Sequence, residues 1–226
     1  MTDPGRRILG LLAKQPLVGF VKTRLAAETS PEFAAQVASA FLTDTVNRLA
    51  HFQAHRVLLF APADAVTFFA ELVSDRFQLA PQADGDLGRR MAAFFESQFQ
   101  NGPAPTVLLG VDSPTLPLSY IEEAFEKLEE TDLVLGPATD GGYYLVGSSG
   151  QVPPIFDNMT WSRPSVLEET IGRLSDRRWR LHLLPPWYDA DTLDDWKMLR
   201  GHLAALRRAG LDPELPCTER LAYDHL

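Results

Sequence analysis

Apolar residues along this chain fall into short runs that alternate with longer amphipathic stretches, the pattern of an α/β protein. Six of the short runs predict strands, at residues 7–12, 56–61, 106–111, 132–135, 143–146 and 179–184. Several of these runs are too apolar for half-exposed strands. They therefore indicate a mostly parallel sheet that is covered by helices on both faces.

Helices are expected between these runs, because apolar residues recur there with helical spacing. One begins at Ser30, an N-cap residue followed by Pro31 at the first helical position, and its apolar stripe reaches Leu49. Further helices are predicted at residues 63–73, 86–100, 118–130, 164–174 and 193–209. No repeat or linker divides the chain, so we expect residues 1–226 to form a single α/β domain.

The composition narrows the class of protein. The chain has 226 residues, of which 45% are hydrophobic and 23% charged, values typical of globular proteins. The single cysteine, Cys217, excludes a disulfide framework within the chain and fits a reducing compartment. No apolar run approaches the ~18 residues needed to cross a bilayer, and the first residues lack signal-peptide features. We expect a cytoplasmic protein.

The formal net charge of −9 is unevenly distributed. Residues 1–27 contain five basic side chains and one acidic side chain, a net charge of +4, so the rest of the chain carries −13. An acidic protein of this kind is poorly suited to coat a nucleic acid, but its basic N-terminal segment could bind a small anion. The expected partners are therefore small molecules.

Basic side chains are concentrated after the first predicted strand. Lys14, Lys22 and Arg24 fall within eleven positions of the segment 13–25, which also contains a proline and a glycine. Ligands of open α/β sheets bind beyond the carboxyl ends of the strands. Three converging cations suit a di- or triphosphate, although a solvated basic loop is an equal alternative. The glycine motifs of P-loop and dinucleotide sites are absent.

Three carboxylates follow other predicted strands. Asp112 comes directly after the strand at residues 106–111, where a fixed carboxylate is a good ligand for Mg²⁺ or Mn²⁺ or, alternatively, a cap for the next helix. Asp189 and Asp191 are separated by one residue, so in an extended segment both can point the same way. Two such carboxylates repel each other unless a cation lies between them. Together they predict a metal site.

The segment Thr139-Asp140-Gly141-Gly142-Tyr143 has two interpretations. Its Asp-Gly-Gly sequence demands special backbone angles, as in a tight hairpin turn. Paired glycines also let the backbone approach a substrate closely, with the tyrosine beside it. The sequence leaves a turn and a substrate-binding segment equally open.

These segments resemble a known group of proteins. The run Ala13-Lys14 … Val21-Lys22-Thr23-Arg24 is similar to the start of 2-phospho-lactate guanylyltransferases, and more closely resembles a bacterial family of glycosyltransferase-like proteins related to them. The resemblance extends to Gly85-Asp86-Leu87-Gly88, Gly110-x-Asp112-Ser113-Pro114, Asp140-Gly141-Gly142-Tyr143-Tyr144 and Asp189-x-Asp191-Thr192. Each motif alone is weak, but the set spans roughly residues 8–196.

The resemblance implies the GT-A fold, a Rossmann-like α/β/α sandwich of the nucleotide-diphospho-sugar transferase superfamily. It also implies a divalent metal, Mg²⁺ or Mn²⁺, on residues matching Asp112, Asp189 and Asp191. Nucleotide phosphates would meet Lys22 and Arg24, with Ala13 and Lys14 in the same loop. The base or ribose would lie near Gly85, Asp86 and Gly88, and the other substrate near residues 139–143.

The function expected from these features is metal-dependent transfer from an activated nucleotide to a small acceptor, with Lys22, Arg24 and Asp112 as catalytic residues. Attack on the α-phosphorus of a nucleoside triphosphate would release pyrophosphate, as in guanylyl transfer to a phosphorylated acid. Attack on the anomeric carbon of a nucleotide sugar would release a nucleoside diphosphate. The alternative to an enzyme is a protein that binds a nucleotide without catalysing a reaction. The sequence does not predict the oligomeric state.

Overall fold

A seven-stranded sheet forms the centre of the structure, a computed structural model that describes residues 6–175 and 178–224. Its strands lie in the order β3-β2-β1-β4-β6-β5-β7. Neighbouring strands are parallel except where β6 pairs with β4 and β5. The strands are β1 (Ile8–Lys14), β2 (His55–Ala61), β3 (Gln78–Pro81), β4 (Thr106–Leu109), β5 (Leu133–Pro137), β6 (Tyr143–Ser148) and β7 (Leu181–Leu183).

Helices cover both faces of this sheet, because successive side chains of each strand point to opposite sides. Leu9 and Leu11 pack on one side with α2, α3 and α5, whereas Ile8 packs on the other side with α4. The predicted three-layer architecture with a mostly parallel sheet is confirmed. The helices are α1 (Thr23–Glu28), α2 (Pro31–Leu49), α3 (Val66–Val73), α4 (Leu87–Phe99), α5 (Leu118–Lys127), α6 (Val166–Gly172), α7 (Leu193–Arg208) and α8 (Pro216–Asp224).

All six predicted strands are present, but the sequence pattern missed β3. This four-residue strand is only partly buried and lies at the edge of the sheet, where it pairs with β2. Short edge strands lack the apolar run that marks a central strand. The helix predicted at residues 63–73 begins instead as a 3-10 turn, Ala63–Ala65, before α3.

Two helices were also missed. Helix α1 begins within the basic segment 13–25 and continues to Glu28, and its N-cap, Lys22, makes no side-chain capping bond that the sequence could signal. Helix α8 is capped from a distant part of the chain. The fully buried Asp44 of α2 accepts hydrogen bonds from Cys217 N (3.1 Å), Thr218 N (2.8 Å) and Thr218 Oγ1 (2.7 Å).

The parallel strands β1 and β4 lie side by side, and their carboxyl ends face the same edge of the sheet. This edge is where open α/β sheets bind ligands. Helices α1, α2, α7 and α8 share a separate apolar cluster beside the sheet. Within the described residues, no helix is long and apolar enough to span a membrane.

Candidate active site

A cleft of about 830 Å³ opens at the carboxyl ends of β1 and β4. This volume lies within the range of small-molecule sites. All five segments that the sequence singled out contribute residues to the cleft, together with residues from other parts of the chain. The predicted site residues that line it are Ala13, Lys14, Lys22, Arg24, Gly85, Asp86, Asp112, Asp140, Gly142, Tyr143, Asp189 and Asp191.

Three predicted residues are not part of the cleft wall. Gly88 lies buried in the first turn of α4, where an added Cβ would approach Phe156 O to 2.4 Å. Thr139 lines a separate pocket of about 440 Å³, beside Trp187 and Tyr188. The third is Gly141, which packs against Pro164. The roles of these residues in binding stay predictions, but the structure gives Gly88 a packing role.

The structure requires a glycine at position 141, the first of the glycine pair. Its φ of +91° is a conformation that side chains disfavour, and an added Cβ would lie 2.1 Å from Pro164 O. In addition, Leu167 N donates to Gly141 O (2.8 Å). The turn therefore supports the segment that holds Arg163, which lines the cleft.

Lys22 occupies the centre of the predicted metal site. Its backbone is left-handed, and its side chain is only 3% exposed. The ammonium Nζ donates to Asp112 Oδ1 (2.6 Å), Ala190 O (2.8 Å) and Asp191 Oδ1 (3.3 Å). It also lies 4.6 Å from the centre of the Phe41 ring. The structure thus brings together the predicted phosphate-binding lysine and two of the predicted metal ligands.

Arg24 completes this group, because its Nη2 donates to Asp191 Oδ2 (3.0 Å). Burial lowers the pKa of Lys22, but Asp112 and Asp191 outweigh that effect, so the pKa is raised overall. Burial and then Asp112 raise the pKa of Asp191, while Lys22 and Arg24 oppose them. We refer to Lys22, Arg24, Asp112 and Asp191 as the charge cluster. Two positive and two negative side chains make it formally neutral.

Asp189 makes a different set of contacts. Its Oδ1 accepts a hydrogen bond from Ser113 Oγ. Burial raises the pKa of Asp189 to about 7, with further contributions from Asp112 and Asp140, whereas the Ser113 hydrogen bond opposes the shift. A desolvated carboxyl surrounded by other carboxylates binds a proton more readily. Asp189 therefore titrates near neutral pH. It takes no part in the hydrogen bonds of the charge cluster, because its partner is Ser113.

Main-chain contacts fix the two acidic segments relative to each other. Ala190 N donates to Asp112 O (2.9 Å), which joins the segment after β7 to the loop after β4. The partly buried Arg48 of α2 donates to Pro114 O and Leu116 O and so holds that loop in place. Thr192 and Asp195 cap α7 reciprocally.

The fit of a divalent metal depends on Asp112 and Asp191. Among the described residues, no group of three or more His, Cys, Asp or Glu side chains is arranged to hold a metal ion. However, Mg²⁺ in proteins is commonly held by one or two carboxylates together with substrate phosphates. Asp112 and Asp191 already converge on one cation, the Lys22 ammonium, so their oxygens fit such a partial site. The assignment of the metal to Asp112, Asp189 and Asp191 stays a prediction.

The sequence did not single out Arg163 as a functional residue. The cleft contains five cationic side chains, and Lys22, Arg24 and Arg90 have intramolecular partners. Within the described chain, the side chains of Lys14 and Arg163 make neither a hydrogen bond nor an ion pair, and both residues are exposed. Arg163 lies between Ser162 and Pro164, far in sequence from the other site motifs, so only the fold brings it to the cleft.

A family model described as "Uncharacterized protein conserved in bacteria (DUF2064)" matches residues 45–163, more than half of the chain. The chain belongs to this DUF2064 family. The match includes the loop of Asp112, the turn at residues 139–143 and Arg163. Among curated proteins, none matches this member of the family.

Solved structures share the architecture of this DUF2064 protein. A protein from Desulfovibrio desulfuricans G20, provisionally assigned as a nucleotide-diphospho-sugar transferase, has 29% identity over 97% of both chains and a TM-score of 0.85. A cytidylyltransferase from Leptospira borgpetersenii has 13% identity over 92% of this chain and 89% of that one, with a TM-score of 0.59.

The 4-diphosphocytidyl-2C-methyl-D-erythritol synthase from Anaerococcus prevotii has 10% identity over 88% of this chain and 99% of its own, with a TM-score of 0.56. The last two similarities concern the fold alone. The first extends over nearly all of both chains. Together with the sheet described above, it confirms the Rossmann-like GT-A fold of the nucleotide-diphospho-sugar transferase superfamily.

Proposed function

We propose that this protein is a transferase that uses an activated nucleotide to modify a small acceptor in the cleft. The observation that carries this proposal is the charge cluster at the carboxyl ends of β1 and β4, where Lys22 and Arg24 meet Asp112 and Asp191. The near-complete structural match to a provisionally assigned nucleotide-diphospho-sugar transferase supports the same class. Fold alone would not suffice, because one fold serves many chemistries.

The nucleotide would bind along the loop after β1. The side chain of Lys14 has no partner within the described chain, and that of Arg24 is more than half exposed, so both are accessible to phosphate oxygens. Gly85 and Asp86 form the opposite edge, where Asp86 caps α4 and its Oδ1 accepts from Arg89 N (2.8 Å). Gln82 ties this edge to Ala13 O and Leu59 O.

Asp112 and Asp191 would hold a Mg²⁺ or Mn²⁺ ion together with the substrate phosphates. When bound, the ion would neutralise charge on the phosphate oxygens. The residues of the chain supply the remaining electrostatics. Lys22 and Arg24 would stabilise the negative charge that develops on the leaving phosphate, because the cluster holds their positive charges near the reacting group before the reaction starts.

The acceptor would occupy the other wall of the cleft, formed by Asp140, Gly142, Tyr143 and Arg163. The guanidinium of Arg163 has no partner among the described residues and suits an anionic group, such as a phosphate or carboxylate. An acceptor oxygen positioned there could attack either the α-phosphorus of a nucleoside triphosphate or the anomeric carbon of a nucleotide sugar. The leaving group would be pyrophosphate in the first case and a nucleoside diphosphate in the second.

A thermal-shift panel tests this proposal. Nucleoside triphosphates and nucleotide sugars are each added to the full chain with and without Mn²⁺. A ligand at 100 times its Kd stabilises the folded state by about 2.7 kcal/mol. For a domain of this size, that corresponds to a rise in melting temperature of roughly 5–10 °C. We expect one nucleotide class to give this rise in the presence of Mn²⁺.

The nucleotide class that stabilises the protein is then incubated with candidate acceptors. Release of pyrophosphate would indicate nucleotidyl transfer, and release of a nucleoside diphosphate would indicate glycosyl transfer. Asp112→Ala should abolish the Mn²⁺-dependent part of the shift, while Asp194→Ala, an exposed carboxylate on α7, serves as the matched control. Stabilisation without turnover or metal dependence would identify a nucleotide-binding module instead. No stabilisation by any nucleotide would refute the proposed function.

A further inference from the structure

Lys22 occupies a site built for a cation. An ammonium group has three N–H donors. In Lys22 all three have oxygen acceptors, on Asp112, Ala190 and Asp191. The Phe41 ring lies 4.6 Å away on the remaining side, and the side chain is almost fully buried. The group is therefore held as a bound cation would be.

The oxygens that hold this ammonium belong to the carboxylates that would hold a divalent metal. Asp112 Oδ1 and Asp191 Oδ1 both accept from Lys22, and the second oxygen of Asp191 accepts from Arg24. A metal ion that approaches these carboxylates meets a positive charge already in contact with them. Like charges at such short distances repel strongly in a partly buried site.

A bound polyphosphate would weaken this repulsion between the metal ion and Lys22, because it gives Lys22 and Arg24 a second anionic partner. Lys22 belongs to the loop after β1, at the N-cap of the short helix α1, and its φ of 44° is unusual for a residue with a side chain. A phosphate oxygen that accepts from the Lys22 ammonium would draw it away from the carboxylates. The carboxylates would then be free for the metal.

We propose that Lys22 is an internal competitor of the divalent cation, so that the metal binds together with the nucleotide and only weakly before it. This inference rests on the proposed function, since it assigns an order of binding to the same cleft. It has a simple consequence for the chain without nucleotide. Removal of the Lys22 charge should increase the affinity of the two carboxylates for a metal.

The test measures Mn²⁺ binding to the full chain without nucleotide, by electron paramagnetic resonance of free Mn²⁺ and by calorimetry. Lys22→Met removes the ammonium but retains much of the side-chain volume, and Lys22→Gln is the second variant if Lys22→Met does not fold. The matched control is Lys197→Met, because Lys197 pairs with Asp194 on the exposed face of α7. Circular dichroism confirms folding before each titration.

We expect at least a tenfold lower Kd for Mn²⁺ in Lys22→Met or Lys22→Gln than in the wild type, with no change in Lys197→Met. An unchanged or higher Kd in a folded Lys22 variant would overturn the inference. A parallel titration of the wild type contains the nucleotide that stabilises it most. If Mn²⁺ binds there but the Lys22 variants gain nothing, only the competition is wrong. If Mn²⁺ binds in neither titration, the proposed metal-nucleotide site fails as well.

Discussion

The Lys22 ammonium lies 2.6 Å from Asp112 Oδ1, although 90 residues separate the two in sequence. The contact joins the loop after β1 to the loop after β4. It places a positive charge from one predicted motif against a negative charge from another. The two motifs therefore form a single electrostatic unit, and a change in either should alter both metal and nucleotide binding.

Gly141→Ala should destabilise the protein strongly. Alanine disfavours a φ of +91°, and its Cβ would lie 2.1 Å from Pro164 O. We expect a loss of about 2–4 kcal/mol in the free energy of unfolding, measured by urea denaturation. The control is Gly201→Ala on α7, where an added Cβ meets nothing within 4 Å. That change should stabilise by about 0.5–1 kcal/mol. Equal effects at both positions would contradict the close contact at Gly141.

Arg163→Ala should weaken the binding of small anions to the acceptor side of the cleft. Hydrogen bonds to a charged group contribute about 1.5–3 kcal/mol, so the Kd should rise roughly 10-fold or more. Calorimetry on the nucleotide-loaded protein, with inorganic phosphate and with acetate as probes, distinguishes a phosphate from a carboxylate site. Arg208→Ala, an exposed arginine at the end of α7, should leave both affinities unchanged. The same anion affinity in Arg163→Ala would remove Arg163 from the site.

Asp44→Ala should loosen α8 without touching the cleft. Asp44 is fully buried and accepts three hydrogen bonds from Cys217 and Thr218. Its loss leaves buried donors unpaired, and we expect a cost of about 2–4 kcal/mol. Ser30→Ala, which removes the N-cap of α2 (Ser30 Oγ to Phe33 N, 3.1 Å), should cost about 1 kcal/mol. Hydrogen exchange should show the faster opening of α8 in Asp44→Ala. Protection equal to that of the wild type would contradict this cap.

The stability of the metal-free protein should depend on the protonation of Asp189. Its pKa is about 7 in the folded state, whereas an unfolded aspartate titrates near 4. The folded state therefore keeps a proton that the unfolded state has lost, so this contribution is fully present below about pH 4 and is lost as the pH rises to about 7. It amounts to at most about 4 kcal/mol.

Asp189→Asn removes this titration. Denaturation in the presence of a chelator, at several pH values, should show that the variant gains stability relative to the wild type between pH 4 and pH 8. Asp194→Asn, which changes an exposed carboxylate, should run parallel to the wild type over the same range. Parallel curves for Asp189→Asn and the wild type would show that Asp189 is not perturbed.

Much of the fold could be predicted because it depends on local patterns. Apolar runs such as residues 106–111 identify buried strands wherever they pair, and Ser30 with Pro31 signals a helix start by itself. The edge strand β3 and the helices α1 and α8 were not predictable in this way. Each depends on a partner elsewhere in the chain, as α8 depends on Asp44 of α2.

The candidate site also has features that the sequence predicts and features that only the fold determines. The sequence by itself determined which charged residues follow the strands, because parallel strands bring their carboxyl ends to one edge. It thereby selected Lys14, Lys22, Arg24, Asp112, Asp189 and Asp191. Only the tertiary structure decided that Lys22 pairs with Asp112 and Asp191, that Asp189 turns to Ser113, and that Arg163 reaches the cleft. Those contacts depend on distances between side chains from separate loops, which no local pattern encodes.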